Sequence, residues 1–252
     1  MKSGQSVHLQ NPLSHLVTLG GEALLRPLGF HRKQIEYQGI KMEVLEGRGR
    51  GGPDVILLHG LGDRNSTWHR VMWRLRFGHW GRIFAPDLVG FGRTFLPPGR
   101  EMPTLDEGVD LLKGYLGELT DRKPMVVGNS LGAWLGWQFL LRYPDSIAGC
   151  LMLAPGGFMQ PDELSRLVHR FLTGQQDEMT RAIIGDARPE MRFFARRIIG
   201  KMLRSPMLEV VCRHDSTHLL HEPGDLAPHA NRLRCLWGAL DTLMPESGRH
   251  IL

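Results

Sequence analysis

Short apolar runs recur along the chain, each closed by turn residues and each followed by apolar positions at helical spacing. They lie at 55–58, 83–85, 125–127, 150–153 and 233–237. Runs this short that are apolar on both faces read as buried strands. Between them, the 3.6-residue period predicts helices over 66–76, 105–119 and 131–142. Strands alternating with helices imply an α/β fold whose sheet is mostly parallel and covered by helices on both faces. Ahead of the first run, residues 35–46 alternate around a Gly turn and predict a short antiparallel pair, ended by the Gly-rich stretch 47–52.

From 156 to 230 the alternation stops, and helical periodicity continues without a convincing strand. The expected organisation is therefore a core over 1–155, a helical cap inserted over 156–230, and a returning core segment over 231–252. In the insertion, Pro161 sits at a first helical position with Asp162 and Glu163 behind it. Leu164, Leu167, Val168, Phe171 and Leu172 then repeat at helical spacing. Core packing explains that stripe, and an apolar wall above a pocket is its functional reading.

A chain of 252 residues, 42% hydrophobic and 23% charged, has the composition of one ordinary folded domain and can bury a substantial core. Three widely spaced cysteines, Cys150, Cys212 and Cys235, encode neither a disulfide framework nor a CxxC site, which fits a reducing cytoplasm. Lys2 is followed by no apolar h-region, and no stretch approaches the roughly 18 apolar residues of a spanning helix. Neither a secretion signal nor a membrane anchor is expected. The formal charge of +5 comes from scattered rather than clustered basic residues, so no nucleic-acid partner is expected.

The strongest chemical signal is Gly128-Asn129-Ser130-Leu131-Gly132-Ala133, placed between an apolar strand and a helical run. A nucleophile held at a tight strand-to-helix turn needs small residues two before it and two and three after it. Strand and helix backbones nearly touch there. Gly128, Gly132 and Ala133 meet that demand and nominate Ser130. The segment His59-Gly60-Leu61-Gly62 follows the first apolar run directly. Glycine there lets backbone N–H groups turn inward, and two such donors aimed at a developing oxyanion can each lower a barrier by about 3 to 4 kcal/mol. Leu61 and Leu131 are the expected donors. His59 is read as a brace for its loop rather than as a base.

With these segments in view, the chain resembles the α/β-hydrolase family from about Ile35 onward. Ala85-Pro86-Asp87-Leu88-Val89-Gly90-Phe91-Gly92-Arg93 is similar to the family's Asp-x-x-Gly-x-Gly loop. Trp237-Gly238-Ala239-Leu240-Asp241 is similar to the strand end that bears its acid. The tract 151–158 with a helical cap behind it resembles the monoacylglycerol-lipase and esterase branch. The resemblance implies an α/β-hydrolase fold and a serine hydrolase acting on carboxylic esters, lipid-like or small, through an acyl-enzyme on Ser130. Asp241 is then the acid that orients the base. No carboxylate follows the preceding strand at 154–158, so the alternative acid position is empty. Serine at the elbow argues against haloalkane dehalogenases and most epoxide hydrolases of this fold, which need a carboxylate there. No organic cofactor and no metal is implied.

The family's catalytic histidine follows the acid by roughly 25 to 30 residues, whereas this sequence ends 11 residues after Asp241. Three readings follow: a chain truncated from a longer active protein, a replacement base such as His250, or a hydrolase fold that binds ligand without turnover. His214, His218, His221 and His229 crowd the end of the cap, but their spacing matches no recognised metal motif. Residues 13–30 and the basic tract around Arg192, Arg196, Arg197, Lys201 and Arg204 could each rest peripherally on an anionic bilayer. Packing against the sheet and an ordinary cap helix are the simpler readings.

Overall fold

The computed structural model describes residues 26–158, 160–173, 227–239 and 241, with positions 180, 196, 199, 200 and 210. A seven-stranded sheet organises them: β1 (His31–Tyr37), β2 (Ile40–Arg48), β3 (Val55–Leu58), β4 (Arg82–Pro86), β5 (Met125–Asn129), β6 (Gly149–Leu153) and β7 (Leu233–Leu236). Their spatial order is β1-β2-β4-β3-β5-β6-β7. The hairpin β1–β2 is antiparallel and joins β4 antiparallel, while every later pairing is parallel. The strands from β3 to β7 therefore end along one edge, and loops that follow them meet there.

Side chains alternate across this sheet and build a core on each face. Val55 and Leu57 of β3 join Ile83 and Ala85 of β4 on one side. There they pack with Trp68 and Met72 of the connection that carries helix α1 (His69–Leu75). Ile56, Leu58 and Phe84 point the other way, against helices α2 (Leu105–Leu119) and α3 (Leu131–Arg142). Thr104 starts α2 with a capping box: its Oγ1 accepts the Glu107 amide at 3.2 Å and its own amide donates to Glu107 Oε2 at 2.8 Å. Helix α3 is buried from Leu131 through Leu140, which explains why its sequence is apolar on nearly every side.

The observed elements refine the sequence reading at three places. The hairpin begins at His31 and extends to Arg48, longer than residues 35–46. Its polar residues hide it: Arg32 and Lys33 pair with the buried Glu43 and Glu46 at 2.9 and 3.0 Å. The helix read over 66–76 opens with a 3₁₀ turn, Asn65–Trp68, before α1. The last strand stops at Leu236, one residue short of Trp237.

Of the inserted region, the described part is mainly helix α4 (Pro161–Thr173), on which Leu164 and Leu167 are buried. No helix among the described residues is long and apolar enough to cross a membrane. Phe30, at the end of the N-terminal segment read from 13 to 30, packs into the core beside Leu45 and Val55. Residues 13–25 and, apart from Arg196, the basic positions of the 192–204 tract lie outside the described residues.

Candidate active site

Strand β5 and helix α3 meet at Ser130 with almost no connecting loop. Ser130 adopts φ 52° and ψ −111°, a left-handed conformation that costs a residue with a Cβ on the order of 1 to 3 kcal/mol. Backbone bonds on both sides hold it: its amide donates to Leu153 O at 2.9 Å, and its carbonyl accepts the Trp134 amide at 2.9 Å. No side chain caps the start of α3. The amide of Leu131 heads the helix with no carbonyl one turn earlier to receive it, at the end where the helix dipole favours negative charge.

The glycines explain how this turn is so tight. A Cβ on Gly128 would lie 2.3 Å from Gly132 O and 2.5 Å from Ala133 Cα. A Cβ on Gly132 would lie 2.3 Å from Leu58 O and 2.6 Å from His59 O, so the end of β3 presses directly on the first turn of α3. The same contact brings the 59–62 loop to the serine. A Cβ on Gly60 would be 3.0 Å from Asn129 Oδ1 and 3.5 Å from Ser130 Cβ.

His59 is fully buried and uses both ring nitrogens structurally. Nε2 accepts the Leu88 amide at 2.9 Å, so Nδ1 carries the proton that it donates to Gly60 O at 2.8 Å. The ring also meets Phe91 edge to face, with centroids 5.5 Å apart. It thereby ties the loop after β3 to the loop after β4.

Asp87 makes a second tie that the sequence alone left undeveloped. Its carboxylate, 1% exposed, accepts the amides of Asn65 at 2.6 Å and Arg93 at 2.8 Å. A Cβ on Gly92 would fall 2.1 Å from Asp87 Oδ2, which is why glycine stands there. Burial pushes the Asp87 carboxyl above its ordinary range, opposed by the amides of Asn65 and Arg93 that donate to it. The Asp-x-x-Gly-x-Gly pattern carried the signal for this role, but its partner Asn65 is visible only in three dimensions.

The structure thus brings Ser130, Leu131, Gly128, Gly132, His59 and Gly60 together. Leu61 follows directly, its side chain half-buried against the core. Asp241 lies in a turn just beyond β7, its amide donating to Gly238 O at 3.1 Å. Because β5, β6 and β7 are parallel neighbours, Asp241 and Ser130 follow strand ends on the same edge. His250, His214, His218 and His221 lie outside the described residues, and His229 closes a short 3₁₀ turn. Among the described residues, no cluster of His, Cys, Asp and Glu gathers as a metal site.

Comparison with known proteins agrees with this fold. The model of the alpha/beta hydrolase family matches residues 55–247. Epoxide hydrolase 2 of Siraitia grosvenorii is 34% identical over 121 residues, 48% of this chain and 37% of that protein. The pimeloyl-[acyl-carrier protein] methyl ester esterase of Aeromonas salmonicida is 30% identical over 153 residues, 59% of this chain and 55% of the esterase. The matching stretch thus spans only about a third to a half of these relatives. Among solved structures, a membrane phospholipase A superposes with a TM-score of 0.72 at 18% identity, covering 95% of this chain and 80% of that one. The 2-hydroxy-6-oxo-6-phenylhexa-2,4-dienoate hydrolase of Rhodococcus sp. strain RHA1 gives 0.70 at 18% identity, covering 88% and 85%. At such identities the superpositions establish the fold, and the match over 55–247 establishes the relationship: this chain belongs to the alpha/beta hydrolase family.

Proposed function

We propose that the protein is a serine hydrolase that cleaves carboxylic esters, lipid-like or small, through an acyl-enzyme on Ser130. The observation that carries this reading is the strained Ser130 at the β5–α3 junction, with the 59–62 loop packed against it. Ser130 Oγ attacks the ester carbonyl, and the amides of Leu131 and Leu61 receive the oxyanion. Asp241 orients the imidazole that takes the serine proton and returns it to the leaving alcohol. That imidazole belongs to a histidine other than His59, whose two ring nitrogens are committed to its loop. Water then releases the acid by the reverse sequence of proton transfers. Helix α4, the described start of the insertion, belongs to a cap that sets acyl preference.

The epoxide hydrolase relatives raise a competing chemistry, and the elbow residue argues against it. Epoxide opening in this fold forms an alkyl-enzyme ester on a carboxylate, which a serine makes much less readily. No cofactor is needed, because acyl transfer requires only a nucleophile, a base and oxyanion donors. The reading places the reaction in the cytoplasm, in keeping with the free thiols of Cys150 and Cys235. The test is hydrolysis of a short-chain p-nitrophenyl ester by the protein and by its Ser130→Ala variant. Turnover that disappears in the variant supports the acyl-enzyme. Equal background rates in both would instead favour a hydrolase fold that binds ligand without turning it over.

A further inference from the structure

Large apolar side chains are exposed at few places among the described residues, and two of them, Trp73 and Phe77, share one surface. Trp73 on α1 is 46% exposed, and Phe77 just beyond the helix is 48% exposed. Trp73 and Phe77 meet edge to face, with centroids 5.4 Å apart, and the Arg50 guanidinium stands 5.8 Å from the centre of the Phe77 ring. Helix α1 turns Met72 inward to the core, so the side bearing these residues is directed outward.

The charge around them is of one sign. Residues 47–53 and 64–86 contain no Asp or Glu, while Arg48, Arg50, Arg70 and Arg74 are exposed. The two stretches lie side by side: the amides of Gly49, Arg50 and Gly51 donate to the carbonyls of Gly81, Gly78 and Trp80 at 2.8, 3.2 and 2.9 Å. Arginines that one reads as scattered along the sequence are thus gathered by folding around an aromatic pair.

We propose that this surface docks on an anionic lipid bilayer, with Trp73 and Phe77 entering the interface and the arginines meeting the headgroup charge. Tryptophan and phenylalanine beside arginine are the side chains that the interfacial zone favours, since one end is apolar and the surrounding layer is wet and negative. A second copy of the chain fits poorly, because a symmetric contact would set arginine against arginine. Duplex nucleic acid would answer the charge but would not bury the apolar faces of Trp73 and Phe77, since its surface is lined by phosphates. The orientation follows from topology: the 48–52 and 76–81 loops lie where β4 begins, at the edge opposite Ser130. Docking leaves the serine edge facing away from the bilayer. The proposal does not rest on the ester-hydrolase reading.

The test is co-sedimentation of the full chain with phosphatidylcholine vesicles and with vesicles of phosphatidylcholine and phosphatidylglycerol in equal parts. Partition onto the anionic vesicles, weakened by salt, is expected. At about fivefold per arginine, Arg70→Ala with Arg74→Ala lowers it about thirtyfold. Trp73→Ala with Phe77→Ala lowers it while leaving the salt dependence intact. Both pairs are exposed, so thermal melting of each variant should match the parent, and either pair alone suffices as the test. Absence of partition onto anionic vesicles overturns the proposal, as does partition unchanged in both variants. It is equally overturned if the protein binds a duplex oligonucleotide but no vesicle, or if it forms a dimer that Trp73→Ala with Phe77→Ala dissociates.

Discussion

Replacing Ser130 by glycine should stabilise the protein while removing the proposed nucleophile. At φ 52° and ψ −111° the serine Cβ is held in a conformation disfavoured for L-residues, at a cost of about 1 to 3 kcal/mol. Glycine adopts it freely but loses about 0.5 to 1 kcal/mol through the greater freedom of the unfolded chain. The net gain is up to about 2.5 kcal/mol, centred on about 1 kcal/mol. Alanine keeps the Cβ and therefore the strain, so Ser130→Ala should stay close to the parent. The backbone bonds of Ser130 to Leu153 and Trp134 are present in all three proteins and cancel. Urea denaturation of the parent, Ser130→Ala and Ser130→Gly measures the difference, and thermal melting should shift by roughly 2 to 4 °C per kcal/mol. Glycine ordinarily ranks below alanine, and here the order should invert. If Ser130→Gly is less stable than Ser130→Ala, the strain at the elbow is not real and the account of this turn fails.

Gly132→Ala drives a methyl group onto the backbone carbonyls of Leu58, at the end of β3, and of His59 just beyond it, so it should cost at least about 2 to 3 kcal/mol in chemical denaturation. His59→Ala leaves the buried Leu88 amide without its acceptor and removes a ring packed on Phe91. It should cost about 3 kcal/mol, with any loss of activity accompanied by this loss of stability. Burial, with Arg32 and Arg64 nearby, pushes the His69 imidazole down to about 4. The folded protein thus holds this proton less tightly than the unfolded chain, whose value is near 6.5. His69 therefore contributes stability above pH 6.5 that is lost as pH falls toward 4. The loss should be about 1 to 2 kcal/mol after solvent screening of the half-buried ring, and His69→Gln should flatten that part of a stability–pH profile.

The parts of the fold legible in the sequence are those whose cause is local. Val55–Leu58 is apolar at every position because both faces of β3 are buried, and this marks a central strand unaided. The small residues around Ser130 are legible because only sterics at the β5–α3 turn demand them. The parts that stayed hidden depend on distant partners. Nothing local marks His31–Lys33 as strand, since its polar residues are held by Glu43 and Glu46 of β2. Asp87 reads as one residue of a loop motif until Asn65, 22 positions earlier, is found donating to it. The aromatic and basic residues of α1 likewise become a surface only when the 49–51 stretch folds beside 78–81.

The central claim, that Ser130 is a nucleophile facing an oxyanion site, is tested most directly with a fluorophosphonate. The protein and its Ser130→Ala variant are incubated with the reagent, and the adduct is located by intact mass and peptide mapping. One adduct on the peptide carrying Ser130, absent from the variant, is the expected result. An unlabelled protein, or labelling that persists in Ser130→Ala, would contradict it.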